Sequence, residues 1–159
     1  MSVRTGIGYD SHRFAPGGPI TLGGVRIPSD VHLHGHSDGD AIAHALTDAI
    51  LGAAGLGDIG AMFADTDPAN AGRDSIEMLG LALARVHAAR WRVQQVDVVV
   101  IAETPKIAPH REAMRARLAA ALDVGESDVS IKGKTNEGMG AIGRGEGIAC
   151  IATATLVSR

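Results

Sequence analysis

Between Asp38 and Ala54 the apolar residues Ala41, Ile42, Ala45, Leu46, Ala49, Ile50 and Ala53 recur at helical spacing and predict one broad face that must be buried. Ser37, with Asp40 three residues on, predicts the helix entrance as a capping box in which Asp replaces Glu. Gly55 and Gly57 supply an end. Opposite the apolar face, Asp40, His44 and Asp48 repeat every four residues, where a surface helix would carry Lys, Glu or Gln. Just upstream, His34-Gly35-His36-Ser37-Asp38-Gly39 adds further ionisable groups. Such crowding at a helix entrance marks sites that bind metal, bind phosphate or move protons. The alternative is a solvated polar loop leading into an N-capped helix.

The helix needs a partner layer, and the remaining chain provides strands. Arg4 to His12 reads as a short strand whose Gly6 and Gly8 predict close approach by another backbone. Asp10 and His12, two apart, then share one face. Glycine and proline turns bracket extended pieces at Ile20 to Leu22 and Val25 to Ile27, and Val31 to His36 is loop or short strand with His32 a bystander. Met62 to Arg73 is long, acidic and irregular, and such loops are more often functional than not. Asp74 and Glu77 open a second helix to about Ala89. Val93 to Ala102 reads as a central strand. Pro109 suits the first turn of a third helix bearing Ala113, Met114, Leu118, Ala121 and Leu122. Asp128 to Lys134 is a strand, Thr135 to Gly147 a glycine-rich loop, and Gly147 to Val157 a final strand without an obvious solvent face. This order predicts an α+β fold, a mixed β-sheet packed on helices in a two-layer sandwich, as one domain over residues 1–159.

Composition removes several function classes. Aromatics are 3% and the net charge is −3, so neither stacking rings nor a basic footprint for nucleic acid is present. No apolar stretch is long enough to span a bilayer, and the N-terminus lacks a signal-peptide core. The lone Cys150 lies in an apolar run and reads as a core residue in a reducing compartment. A cytoplasmic protein is expected.

Two clusters carry chemistry. Asp10, His12 and His44 offer two nitrogens and a carboxylate, a set that suits Zn²⁺ and leaves one tetrahedral position open. A cation with an open position, and no cysteine near, points to a Lewis acid on a phosphate or carbonyl oxygen. Lys132, Lys134, Thr135, Glu137 and Arg144 cluster at a strand end and glycine-rich loop that could bring N–H groups to an anion. Glu137 fits there if it shares Mg²⁺ with phosphates. The alternative is a flexible loop with scattered charge. Both clusters together point to phosphoryl chemistry on a small molecule.

Gly8-Tyr9-Asp10-Ser11-His12, His36-Ser37-Asp38-Gly39-Asp40 and His44-Ala45-Leu46-Thr47-Asp48 resemble the 2-C-methyl-D-erythritol 2,4-cyclodiphosphate synthases. So do Gly57-Asp58-Ile59-Gly60, Phe63 through Asp65-Thr66-Asp67-Pro68, Pro105-Lys106 and Gly143-Arg144-Gly145-Glu146-Gly147, collinearly over essentially the whole chain. The resemblance implies conversion of 4-diphosphocytidyl-2-C-methyl-D-erythritol 2-phosphate to the 2,4-cyclodiphosphate with release of CMP. The substrate's own 2-phosphate attacks its β-phosphate, which explains why no Ser-His-Asp or activated Cys arrangement is expected.

By position, the resemblance implies Asp10, His12 and His44 as divalent-metal ligands, usually for zinc, and His36 and Thr135 as transition-state positioning groups. It implies Ser37, Asp58, Ile59, Gly60, Phe63 and Asp65 as a methylerythritol pocket. Ala102, Lys106, Ile107 and Ala108, with Lys134, Thr135, Asn136 and Glu137, would bind the cytidine diphosphate, Glu137 holding Mg²⁺. Asp40 and Asp48 are support. The family is homotrimeric with sites between subunits, and isoprenoid diphosphates can enter a central cavity at the Arg144 position. Here Ala141 replaces a common aromatic and Lys134 a frequent second threonine. The length leaves no room for the cytidylyltransferase that acts before it. The competing expectations are a metal-dependent phosphodiesterase and a trimeric isoprenoid-diphosphate binding module.

Overall fold

Strand β1 runs Val3–Pro16 in the computed structural model, which describes residues 1–159. It is longer than the predicted Arg4 to His12 because two partners share its length. The last strand, β7 (Gly147–Ser158), pairs antiparallel with Val3 to Arg13, and β4 (Val31–Leu33) takes Phe14 to Pro16. Between them come β2 (Ile20–Leu22) and β3 (Val25–Ile27), a separate two-stranded ribbon with the predicted bounds. Then follow helices α1 (Ala41–Ala54), the single turn α2 (Ile59–Met62) and α3 (Ser75–Ala88). Strand β5 (Trp91–Ile101), helix α4 (Arg111–Leu122), β6 (Val129–Lys134) and the short α5 (Gly140–Gly143) precede β7. The main sheet has order β4-β1-β7-β5-β6, with β5 and β6 parallel across α4 and every other pair antiparallel. It is a mixed sheet with helices on one face, the expected α+β arrangement.

Helix α1 lies on β1 and β7, and the two glycines of β1 decide how closely. A Cβ on Gly8 would stand 1.8 Å from the carbonyl oxygen of Ala45, and one on Gly6 would stand 2.1 Å from that of Ala49. Both approaches are backbone on backbone, as the sequence predicted. Helix α1 is therefore buried almost all round, and the Asp40, His44 and Asp48 stripe is not a solvated face. Asp40 is fully buried, and His44 is only 9% exposed.

The predicted capping box is corrected in the same place. Asp40, not Ser37, is the N-cap: its backbone is extended and its carboxylate accepts the Ala43 N–H at 3.1 Å. The carboxylate also accepts the N–H groups of Gly23 and Gly24, at 2.8 and 2.7 Å. These bonds tie the β2–β3 turn to the helix start. Burial pushes the Asp40 carboxyl up, against the three N–H bonds that stabilise its charge. Gly55 ends α1 in the left-handed conformation, as predicted.

The inner face of the sheet, with Val96, Val98, Val100, Ile148, Cys150, Ala152, Ala154 and Leu156, is buried in one core with α1, α3 and α4. Cys150 is thus a core residue, its thiol pushed up by burial and by the charges of Asp40 and Asp10. Unlike the expectation for it, β7 has an open face: Ile151 and Thr153 are exposed, beside Ile7 and Tyr9 of β1. No helix is long and apolar enough to cross a membrane.

Replacing Gly8 by Ala forces β1 and α1 apart. Thermal unfolding should show a loss of about 3 kcal/mol, or roughly 6–12 °C in Tm. A melting point within about 2 °C of the parent would contradict the contact.

Candidate active site

The pleat of β1 turns Asp10 and His12 toward α1, whose first full turn brings His44 down beside them. Asp10 Oδ2 lies 2.7 Å from His12 Nε2 and 3.0 Å from His44 Nδ1, and the two nitrogens are 3.3 Å apart. Ligands of a tetrahedral zinc ion, each roughly 2.0–2.1 Å from the metal, stand roughly 3.3 Å from one another. The three donors therefore converge on one point and fit a divalent cation after shifts of a few tenths of an ångström. His12 Nδ1 is 2.8 Å from the His34 carbonyl, which can only accept, so Nδ1 keeps its hydrogen and Nε2 faces the triad.

Burial pushes the Asp10 carboxyl up, but hydrogen bonds and charge from His12 and His44 outweigh it and hold Asp10 below its ordinary value. Burial likewise pushes the His12 imidazole down, and the bond and charge of Asp10 outweigh it and hold His12 above its ordinary value. Each group favours the charged form of the other. The expected absence of a Ser-His-Asp arrangement does not hold as geometry. Ser37 Oγ lies 2.8 Å from His44 Nε2 on the side opposite Asp10.

The triad forms one end of a cavity of about 350 Å³. His36, Ser37, Ile59, Gly60, Phe63 and Asp65 line it, so most of the predicted pocket is assembled. Asp58 sits beside it, its carboxylate capping α2 through the Ala61 N–H at 2.8 Å. Asp48 lines the cavity and accepts the Ile59 N–H at 2.7 Å, holding α2 against α1; burial pushes its carboxyl up. Asn70, Met78 and Ser75 were missed by the sequence reading. Asn70 and Met78 complete the cavity wall, and Ser75 Oγ is 2.7 Å from His44 Nε2. The long 62–73 segment was the available signal for Asn70. Nothing marked Ser75 or Met78 beyond their place at the start of a helix.

A second cleft, about 170 Å³, opens where the parallel strands β5 and β6 end. Ala102, Lys106, Ile107, Ala108, Lys134 and Thr135 line it together with Arg111. Its adjoining loop differs from expectation. The Glu103 carboxylate accepts the Asn136 and Gly138 N–H groups at 3.1 and 3.3 Å, so these two amides are committed to the protein. Neither amide is then open to an anion. Glu137 is left-handed at φ 52°.

Lys132 stands apart from the cleft in an ion pair with Asp97 at 2.7 Å, which corrects its grouping with Lys134. Arg144 pairs with Glu146 at 2.7 Å, and Ala141 borders a third hollow with Phe14, Ile142 and Ile148. Neither lines the second cleft.

The two clefts lie at the same end of the sheet but on different strands, the first at β1 and the second at the ends of β5 and β6, with β7 between. Ser11, Ala149, Ile101 and Lys134 form one row across β1, β7, β5 and β6, and they point away from the helices. Asp10 and Cys150 belong to the adjacent row, which points toward them. Glu103→Ala should release the loop: hydrogen exchange at Asn136 and Gly138 should rise about tenfold or more, with the β6 amides unchanged. Unchanged exchange at both residues would show that Glu103 does not hold the loop.

Comparison with known proteins adds to this geometry. Residues 3–157 match the model of the YgbB family. A 2-C-methyl-D-erythritol 2,4-cyclodiphosphate synthase from Gemmatimonas aurantiaca is 65% identical over 99% of this chain and 95% of its own length. Among solved structures, the bifunctional IspDF from Campylobacter jejuni superposes with a TM-score of 0.96 at 40% identity; the match covers 99% of this chain but 43% of that longer one. The CDP complex of Plasmodium falciparum IspF gives a TM-score of 0.87 at 36% identity, over 99% of this chain and 97% of that one.

Proposed function

The chain belongs to the YgbB family, and from that premise we propose that it is a 2-C-methyl-D-erythritol 2,4-cyclodiphosphate synthase over residues 1–159. It converts 4-diphosphocytidyl-2-C-methyl-D-erythritol 2-phosphate to the cyclic diphosphate. An oxygen of the 2-phosphate attacks the β-phosphorus, the bond from that phosphorus to the bridging oxygen breaks, and CMP leaves with the bridging oxygen. No water is consumed, which places the reaction among phosphorus–oxygen lyases. The observation that carries the reading is the convergence of Asp10 Oδ2, His12 Nε2 and His44 Nδ1 in the lining of a cavity that His36, Ser37 and Asp65 also line.

The protein's task is to fold the substrate and balance its charge, since both reacting groups are already on one molecule. Asp10, His12 and His44 would hold Zn²⁺, which when bound supplies Lewis-acid charge to a phosphate oxygen. His36 faces the cavity and, with Thr135, positions the transition state, while Ser37 lines the cavity on the methylerythritol side. Asp58, Ile59, Gly60, Phe63 and Asp65 hold the methylerythritol portion. The cytidine diphosphate sits at Ala102, Lys106, Ile107 and Ala108, with Lys134, Thr135 and Asn136 beside its phosphates and Glu137 as the Mg²⁺ ligand.

The two halves stand on different strands of one sheet, at β1 and at the ends of β5 and β6, and in this reading one chain does not close a site around a single substrate. A homotrimer with sites between subunits supplies the cytidine side from a neighbour, and the exposed Ile7, Tyr9 and Ile151 would be covered in it. Arg144 and Ala141 would then face its central cavity, where an isoprenoid diphosphate is a second ligand. A cytoplasmic enzyme fits this small-molecule substrate.

Purified protein with Zn²⁺, Mg²⁺ and the cytidine-diphosphate substrate should release CMP and the cyclic product in equal amounts. Oxygen-18 from solvent should not enter the phosphates; its appearance would instead identify a hydrolase. His44→Ala should lose zinc and lower kcat by about a thousandfold or more. Full turnover in that variant would leave only a metal-independent reading. Mixing inactive His44→Ala with inactive Lys106→Ala subunits should restore activity if sites are shared between chains, and no recovery in mixed trimers would place each site within one chain.

A further inference from the structure

Behind His44, on the side away from Asp10, lies a polar chain that three metal ligands alone do not require. His44 Nε2 is 2.7 Å from Ser75 Oγ, and the Ser75 hydroxyl donates to Asp38 Oδ1. Asp38 Oδ2 accepts the Ser75 N–H at 3.0 Å, and Asp38 Oδ1 accepts the Asp40 N–H at 3.1 Å. Asp38 thus grips Ser75 by both its hydroxyl and its backbone.

Hydrogen counting gives the chain a direction. A carboxylate only accepts, and a serine hydroxyl has one hydrogen. Once that hydrogen goes to Asp38, Ser75 Oγ can meet His44 only as an acceptor. His44 must then carry its hydrogen on Nε2 and its lone pair on Nδ1, the atom 3.0 Å from Asp10 Oδ2.

Asp10 and Ser37 pull the other way. Asp10 accepts best from a hydrogen on Nδ1, which would move the lone pair to Nε2, where Ser37 Oγ stands at 2.8 Å. That tautomer makes Asp10, His44 and Ser37 a base-and-nucleophile arrangement rather than a ligand set. Two chains of hydrogen bonds therefore compete for one imidazole.

We infer that Asp38 and Ser75 are positioning residues that hold His44 in its metal-ligating tautomer and, by the same hydrogen, deny Nε2 to Ser37 as a base. The inference rests on the reading of Asp10, His12 and His44 as a cation site. It also assigns Ser37 a role: with Nε2–H shared toward it, its own hydroxyl hydrogen is free to be donated into the cavity that it lines.

The test uses Zn²⁺ alone, by competition with a chromogenic chelator, and needs no substrate. Ser75→Ala and Asp38→Asn should weaken Zn²⁺ binding about 10–100-fold, while Ser75→Thr, which keeps the hydroxyl, should stay within about threefold of the parent. Nitrogen–proton correlation spectra of the zinc-loaded parent should show a hydrogen on His44 Nε2 and a metal-shifted Nδ1. That spectrum stands even if a variant fails to fold. Parent-like affinity in both folded variants, or a His44 Nε2 without hydrogen, overturns the inference. A parent that takes up no Zn²⁺ at all overturns the cation site itself, and the inference with it.

Discussion

The contact of β1 with α1, backbone against backbone, is the constraint on which the rest depends. Gly8 admits the Ala45 carbonyl and Gly6 admits that of Ala49, so helix and sheet lie closer than any pair of side chains would allow. Ala45 follows His44, and Gly8 is two residues from Asp10. The same close approach therefore sets both the layer spacing and the reach of the His44 imidazole to the carboxylate. A larger side chain at either glycine would lift the ligand away from its partners. The alanines of α1 and the scarcity of aromatics belong to this arrangement, since a thin layer has no room for rings.

Close packing buries α1 on nearly every side, and its polar residues then need internal partners. Asp40 receives three N–H groups, two of them from the β2–β3 turn, so the hairpin is held by the helix cap. Asp48 receives the Ile59 N–H and fixes α2, which forms one wall of the cavity. His44 is held on both ring nitrogens. Each of these groups was a candidate for chemistry, but only His44 turns a ring atom to the Asp10 and His12 donors. Asp40 and Asp48 are occupied in holding the walls, because an unpartnered buried carboxylate would cost several kcal/mol.

The parts of this that were legible in the sequence were local. A glycine at alternate strand positions announces close approach, and two ligands at spacing two on a strand must share a face. The 3.6-residue rhythm of α1 and the turn glycines around β2 and β3 place those elements without reference to the rest. What was hidden depends on distant partners. Ser37 looks like the cap because Gly23 and Gly24 cannot be seen delivering their amides to Asp40. The length of β1 is decided by β7 and β4, more than a hundred residues apart in sequence. Lys132 was misread, and Glu103 went unread, for the same reason: the Asp97 that pairs with one and the amides that occupy the other come from elements beyond any local window.

The side of the sheet on which the ligands stand follows from the pleat itself. Asp10 and His12 must point inward to meet α1, so the row containing Ser11, Ala149, Ile101 and Lys134 must point outward. No loop rearrangement within one chain reverses that parity. Moving β1 by one residue against β7 would turn Asp10 to the open face and expose the core row with it. The same outer face carries Ile7 and Tyr9, at 70% and 60% exposure, where a sheet of an isolated domain would carry polar side chains. The pleat therefore divides the work of β1: its inner row gives ligands to the cavity, and its outer row presents an apolar face that a neighbouring surface would cover.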